Sequence, residues 1–380
     1  MNDAVIVAAR RTPTGKRNGA LSGIHPADLG ATTVEDLVAQ TGIDPHVIDD
    51  VIFGCVSQAG EQTGDIARTV ALSAGLPETV AGVSVDRQCG SSQQAVHFAA
   101  AGLIAGQYDV VIAGGVESMS RVPMGSAAAG ESPFGQKFND RYNGVKPNQG
   151  IGAEMIAEQW KLGRTQLDEF AVRSHELAAA ATDAGRFDSQ ILPVPTDGGE
   201  ITADEGIRRG STTGKLAGLD TVFKQDGVIT AGNASQISDG SAALLMMTSA
   251  RAKELGLSPI ARVHSAVLAG ADPVIMLTAP IPATAKVLKK SGLSVDDIGV
   301  FEINEAFAPV PLAWLAETGA DIDRLNPNGG AIALGHPLGG SGARLMTTMI
   351  HHMQDQGIRY GLQSMCEGGG QANATILELL

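Results

Sequence analysis

Short apolar runs alternate with helical patterns along this chain, and that alternation restricts it to a layered α/β architecture. The candidate strands are residues 5–9, 51–54, 80–85, 110–113, 242–247, 260–268, 300–303 and 361–365. Several are apolar on both faces, the pattern of central strands covered by helices. Between them, Thr165-Gln166-Leu167-Asp168 fits a capping box and predicts a helix through Phe170, Leu177 and Ala181 that stops at Gly185. Pro282 opens another, passing Ala285 and Leu288 and ending at Gly292.

The stretch from about Ser118 to Ser235 breaks this rhythm with Gly- and Pro-rich turns at 124–130 and 143–150 and a loop at 195–199. It reads as an insertion lying over a core, and segments of that kind often cover a ligand. An internal echo predicts that the core is duplicated. Cys89 is followed by Gly-Ser-Ser, a helix of small residues, the strand 110–113 and Gly114-Gly115. His336 is followed by Gly340-Ser341-Gly342, a helix through Leu345, Met349 and Ile350, and a strand ending at Met365-Cys366 before Gly368-Gly369.

At 380 residues the chain exceeds the size at which a single core stops growing, so two or three subdomains are expected. It is 43% hydrophobic, 18% charged and 4% aromatic with 48 glycines, which describes a globular protein with many shaped loops, not a disordered or fibrous one. The net charge of −14 argues against a nucleic-acid partner, which needs a basic face. A phosphorylated small molecule on a local basic patch stays open. Three cysteines, none near another in sequence, give neither a disulfide framework nor a zinc site, and no metal is expected. The first residues lack a basic segment followed by a long apolar one, and Gly, Pro, Ser and Asn interrupt the long uncharged stretches. The expectations are therefore no secretory signal, no membrane partner and a cytoplasmic location.

Chemistry concentrates in four motifs. In Asp86-Arg87-Gln88-Cys89-Gly90-Ser91-Ser92, the thiol stands between an apolar run and a helical run that opens at Gly90. The positive end of a helix lowers a thiol's pKa and favours the thiolate that attacks carbonyls. The alternative is a small buried residue. The second motif is Asn304-Glu305-Ala306-Phe307-Ala308, directly after the strand 300–303, where Asn304 is either a strand-end cap or a functional amide. The third runs from Asn326 to Gly342, with His336 fixed between Gly335 and Pro337 in a glycine-rich loop before a helix. A histidine with fixed backbone on both sides reads as positioned, and the loop lacks the Lys-Ser/Thr ending of a phosphate loop. The fourth is Cys366-Glu367-Gly368-Gly369-Gly370, in which Cys366 is either reactive or packed. Cys55 reads as core, and His351 and His352 as a solvated helix face.

Together the motifs resemble the thiolase family. The likeness runs nearly end to end, through Arg10-Arg11-Thr12-Pro13, Gly15-Lys16, Gly114-Gly115-Val116-Glu117-Ser118-Met119-Ser120, and Thr230-Ala231-Gly232-Asn233-Ala234-Ser235 before Asp239-Gly240. It implies an α/β fold with a duplicated five-layer α-β-α-β-α core and an inserted loop domain. Residues 1–117 would form an N-terminal half completed by about 236–258, residues 118–235 the loop domain over coenzyme A, and residues 259–380 the C-terminal half. A homodimer or homotetramer is implied, with acyl-CoA and CoA as partners, coenzyme A as co-substrate and no tightly bound cofactor. The implied activity is CoA-dependent cleavage of a 3-ketoacyl-CoA to acetyl-CoA and a shortened acyl-CoA, or the reverse Claisen condensation.

By the same resemblance Cys89 is acylated, and His336 is its general base, working near its natural pKa. Cys366 protonates the acetyl-CoA enolate and later deprotonates the incoming thiol, a task suited to an unperturbed thiol of pKa about 8.5. One oxyanion hole is implied at His336 and a water held by Asn304, the other at the backbone N–H groups of Cys89 and Gly368. Ser235 matches a pantetheine-contacting serine, while Ala231, Phe223 and Phe307 line the same tunnel. Arg208 matches a basic residue near the nucleotide, and Met276 an acyl-pocket methionine. Arg209, Lys215 and Lys224 are candidates for added positive potential.

The chain departs from the family pattern at several places. Asp86 replaces a usual asparagine and Ser92 a common glycine, and Asn148-Gln149-Gly150-Ile151-Gly152-Ala153-Glu154 stands where many members carry Met-Gly-x-Thr-Ala-Glu. Gln236-Ile237-Ser238 replaces a commoner Gly-Ile/Leu-Asn. With Gly60-Glu61-Gln62 and Gln93-Gln94, these features resemble thiolases of sterol side-chain breakdown and imply a bulky or branched acyl tail. A short-chain acetoacetyl-CoA thiolase is the alternative. Decarboxylating condensing enzymes of this fold lack the second thiol that Cys366 supplies. A non-catalytic CoA- or lipid-binding relative tolerates loss of a catalytic group, whereas Cys89, Asn304, His336 and Cys366 are all present.

Overall fold

The computed structural model describes residues 2–380. Its main strands are β1 (Val5–Arg11), β2 (Asp50–Gly54), β3 (Ala81–Val85), β4 (Val110–Ser118), β5 (Ser238–Met247), β6 (Ala261–Gly270), β7 (Val300–Ile303), β8 (Tyr360–Glu367) and β9 (Gln371–Leu379). With the short strand Gly15–Lys16 beside β5, they form a ten-stranded sheet in the order β7-β8-β9-β6-β1-β5-β4-β2-β3.

That order repeats one scheme twice. In the N-terminal set, β1 pairs antiparallel with β5, β5 antiparallel with β4, and β4 parallel with β2. In the C-terminal set, β6 pairs antiparallel with β9, β9 antiparallel with β8, and β8 parallel with β7. The sets meet through a short antiparallel ladder of Val5 with Arg262 and Ile6 with Ala261.

Helices cover both faces of each set, which is why several of the central strands are apolar on both faces. On the N-terminal outer face, Leu29, Val34 and Leu37 of α1 (Pro26–Thr41) and Ile66 and Val70 of α2 (Ile66–Ser73) pack on Val51, Val110, Ile112 and Leu245. Alternate strand residues face the other way. Val111, Ala113, Leu244 and Ile6 meet Val96 and Leu103 of α3 (Ser91–Ala105) and Met346, Met349 and Ile350 of α8 (Leu338–Gln356). The same central cluster takes in Ala261, Val300 and Leu377 from the C-terminal set. On the far side, α6 (Pro280–Ser291) and α7 (Pro309–Thr318) cover Phe301, Ile303, Leu362 and Ile376. Five layers result: helices, sheet, paired helices, sheet, helices.

The insertion between β4 and β5 carries α4 (Gln149–Gln159), α5 (Arg164–Asp183) and a small hairpin of Val194–Thr196 with Gly199–Ile201. Its Ile156, Leu167 and Phe170 join the C-terminal cluster, so it lies over that half.

Some boundaries differ from expectation. α5 is capped two residues earlier, at Gly163, whose N donates to Gln166 Oε1 at 2.9 Å while no N-cap side chain completes the box, and Asp168 instead accepts from Arg164 Nε at 2.8 Å and Asn233 Nδ2 at 3.0 Å. α6 opens at Pro280 and is closed, as expected, by Gly292 at φ 75°. β4 runs on to Ser118 because the antiparallel register with β5 continues through Gly114 and Gly115. Among the described residues no helix is long and apolar enough to cross a membrane.

Candidate active site

The starts of α3 and α8 converge in the central layer, and glycines make the approach possible. A Cβ on Gly54 would stand 2.4 Å from Ser92 N and 2.6 Å from Gly339 O, and one on Gly342 would stand 2.4 Å from Gln93 N. Neither position admits a side chain without displacing backbone. Ser92 Oγ accepts from Ala343 N at 2.9 Å and ties the two helix starts together.

Cys89 stands just before α3 in a turn that places Gln88 in the left-handed region at φ 48°. Asp86 Oδ1 accepts from Gln88 N at 2.7 Å, while Ser91 Oγ accepts from Arg87 N at 2.9 Å and donates to Gln88 O at 2.6 Å. Asp86 therefore fastens this turn. The thiol itself is buried and packs with Met119, Leu338, Leu345 and Met365. Its pKa lies well above the ordinary thiol value, chiefly because of burial, with Cys366 and Glu367 adding to the effect. The lowering expected from the helix terminus is overturned, because desolvation of the thiolate outweighs a partial charge.

His336 sits at the head of α8 and is held by two serines. Its N–H donates to Ser238 Oγ at 3.1 Å, and its Nδ1 lies 2.6 Å from Ser341 Oγ. The single proton of that hydroxyl goes to Pro337 O at 2.8 Å. Ser341 must then accept from Nδ1–H, which leaves Nε2 as a free lone pair. Burial, with Arg344 assisting, pushes the His336 pKa down to about 3, correcting the expectation of a near-natural value. The imidazole is neutral at physiological pH and can accept a proton. Replacing Ser341 with alanine is expected to lower kcat roughly tenfold with KM nearly unchanged, because the imidazole loses its fixed tautomer. Steady-state kinetics of the variant checks this, and an unaltered kcat removes Ser341 from the role.

Asn304 follows β7 and brings the second thiol into the group. Its Nδ2 lies 3.4 Å from His336 Nε2, and its side chain stands near enough to Cys366 to favour that thiol's charged form. Cys366, at the end of β8, is fully buried, and burial followed by Glu367 pushes its pKa up to about 12. That corrects the expectation of an unperturbed thiol. A Cβ on Gly368 would stand 2.8 Å from Gln88 Oε1, so this backbone lies against the turn that carries Cys89. Gly369 and Gly370, at φ 83° and 77°, take conformations that favour glycine. Cys89, Asn304, His336, Cys366 and Gly368 thus form one cluster.

A cavity of about 720 Å³ opens onto it, with His336 and Leu338 in its wall. Ser235, Ala231, Phe223, Phe307 and Arg208 line it as expected, the Phe223 ring standing edge-on to Phe307 with centroids 5.8 Å apart. Met276 does not line this cavity. Its backbone turns at φ 61° and buries the side chain in the C-terminal cluster, and the methionines in the lining are Met119 and Met124. Arg209 pairs with Asp183, Lys224 lies 3.9 Å from Glu158, and Lys215 donates to Gly210 O, all away from the cavity wall. His351 and His352 are not a solvated face: His351 meets Ser189 and Ala9 O, and His352 meets Asn328. Among the described residues no cluster of His, Cys, Asp or Glu could hold a metal.

Residue-by-residue reading missed the role of Glu117. Its Oε2 accepts from Val56 N at 2.9 Å and Gly339 N at 2.8 Å, and its Oε1 from Ser57 N at 3.0 Å and Gln62 Nε2 at 2.8 Å. It fastens the start of α8 to the N-terminal half. An acidic residue closing an otherwise apolar strand was the available signal.

Two buried thiols beside a proton-accepting imidazole that walls one cavity define a protein built for acyl transfer through sulfur. Comparison with known proteins agrees. Residues 4–250 match the thiolase N-terminal domain and residues 257–379 the thiolase C-terminal domain. The chain is 50% identical to the steroid 3-ketoacyl-CoA thiolase FadA6 of Mycobacterium tuberculosis, over all of this chain and 95% of that protein. It is 43% identical to a probable acetyl-CoA acyltransferase of Staphylococcus aureus, over 99% of each. The crystal structure of the Bacillus anthracis acetyl-CoA acetyltransferase superposes with a TM-score of 0.91 at 40% identity, covering 100% of this chain and 99% of that one. The chain belongs to the thiolase family and is an acyltransferase.

Proposed function

We propose that this thiolase cleaves 3-ketoacyl-CoA substrates with a bulky or branched acyl tail, through an acyl-Cys89 intermediate. The observation that carries this reading is the convergence of Cys89, Asn304 and Cys366 behind His336, which forms part of the cavity wall. Attack of the Cys89 sulfur on the 3-keto carbon passes its proton to His336 Nε2. Cleavage of the C2–C3 bond then releases an enolate, which takes the Cys366 proton and leaves as acetyl-CoA. Coenzyme A, deprotonated by the Cys366 thiolate, attacks the thioester and takes the acyl group, and the Cys89 sulfur that leaves recovers its proton from His336. The N–H groups of Cys89 and Gly368 face one developing oxyanion, and His336 with Asn304 the other.

Residues 118–235 act as the domain over coenzyme A, with Ser235, Phe223 and Arg208 along its path. The halves divide at 1–117 with 236–258, and 259–380. A second copy docks along β3, whose outer edge has no partner strand among the described residues and is flanked by the exposed apolar residues Val83, Phe98 and Ile104. The working location is the cytoplasm, with no tightly bound cofactor.

Preference for a bulky tail is supported by the departures at 148–154 and 236–238 and by the steroid-directed name of the Mycobacterium relative. A panel of 3-ketoacyl-CoA substrates of increasing bulk, assayed for CoA-dependent cleavage, tests it. A rising kcat/KM with bulk is the expected result. A strong preference for acetoacetyl-CoA refutes the bulky-tail reading and leaves the short-chain alternative.

A further inference from the structure

We propose that Glu367 is a positioning residue that sets the ionisation of both reactive thiols, and that the working enzyme is the form in which its carboxyl is uncharged. The proposal rests on the reading of Cys89 and Cys366 as the reacting groups.

Glu367 follows Cys366 at the end of β8 and is fully buried. Neither carboxyl oxygen has a hydrogen-bond partner among the described residues. The group presses on the start of α3: a Cβ on Gly90 would stand 2.0 Å from Glu367 Oε1. It therefore adjoins one thiol as the next residue after Cys366 and presses on Gly90, the residue after the other.

The contrast with Glu117 is instructive. That buried carboxylate takes four N–H donors, the surroundings of a charged group. Glu367 has none. Of the nearby polar side chains, Asn373 Nδ2 donates to Gly90 O at 2.9 Å and Arg87 Nη1 to Gln371 Oε1 at 3.0 Å, while Arg87 Nε has no partner among the described residues and makes no hydrogen bond to Glu367. A buried acid without donors favours its neutral form. Burial pushes the Glu367 pKa up to about 8, opposed mainly by Arg87.

The charged and titratable groups that bear on it are Arg87 before α3, Cys89 at its head, and Cys366 on β8; Glu117 on β4 also acts on Cys89. A charged Glu367 raises the pKa of both thiols. Negative charge visits the Cys89 sulfur, the Cys366 sulfur and the oxyanion beside Gly368 during turnover. An ionised neighbour opposes all three. Ionisation of Glu367 as pH rises through its folded value should therefore slow the reaction.

The test compares the full-length wild type with Glu367→Gln and Glu367→Met, which are uncharged at every pH. Each protein's kcat is normalised to its own maximum, and Cys89 alkylation by iodoacetamide is timed from pH 6.5 to 9.5. The wild type is expected to lose kcat with a midpoint near pH 8, and both variants to lack that fall. At pH 9 the variants' Cys89 should alkylate about fivefold faster than the wild type's, since removing the charge lowers the thiol pKa. Profiles that superimpose on the wild type's overturn the proposal. If neither variant folds, a wild-type kcat flat between pH 7 and 9 overturns it alone. Absence of any Cys89 labelling would instead sink the underlying assignment of the nucleophile.

Discussion

Replacing Cys89 with alanine is expected to lower kcat/KM for thiolysis by roughly 10⁴-fold or more, since no acyl-enzyme can form. The side chain lost is small, and the turn around it is held by Asp86, Ser91 and backbone bonds that the substitution leaves in place. Folding and CoA affinity should therefore change little. Intact-protein mass after exposure to substrate supplies the independent check, because wild type should carry an acyl adduct and the variant none. Turnover within tenfold of wild type would remove Cys89 from its assigned part.

His336→Ala should cost about 10² to 10⁴ in kcat, the usual contribution of a positioned general base. The wild-type pH profile carries a sharper signature. With the folded pKa lowered to about 3, the imidazole stays neutral from pH 8 down to pH 5, so no protonation step of this group falls in that window. Activity should show no limb with a midpoint near 6.5, the value of an unperturbed histidine. A clear limb there, absent from the alanine variant, would contradict the arrangement in which burial and Arg344 keep the ring uncharged.

Much of this fold was legible because its strands are covered on both faces and so read as unbroken apolar runs; β7 matches the expected 300–303 in full. β9 was missed for the opposite reason. Its Asn373 and Thr375 are polar yet buried, with Asn373 bonded to Gly90 O and Thr375 Oγ1 lying 2.7 Å from both Gln93 Nε2 and His97 Nε2. A strand whose inward face hydrogen-bonds a helix leaves no apolar signature. The site residues were found through motifs, since local sequence says nothing of which distant loops converge. Ionisation states were misread because a motif shows the helix terminus beside Cys89, while desolvation depends on everything packed around it. Ser341 and Glu117 were in plain sight within the motifs, but their work is done through hydrogen bonds that only the assembled layers create.

The doubled strand scheme has a consequence for how activity can be lost. One sulfur is delivered by the first near-copy of the core, while the other sulfur and the imidazole ride with the second. The copies clasp through paired helices and a brief ladder between β1 and β6. Any slackening along that seam parts the reactants before either copy melts, so catalysis serves as a strain gauge for the clasp.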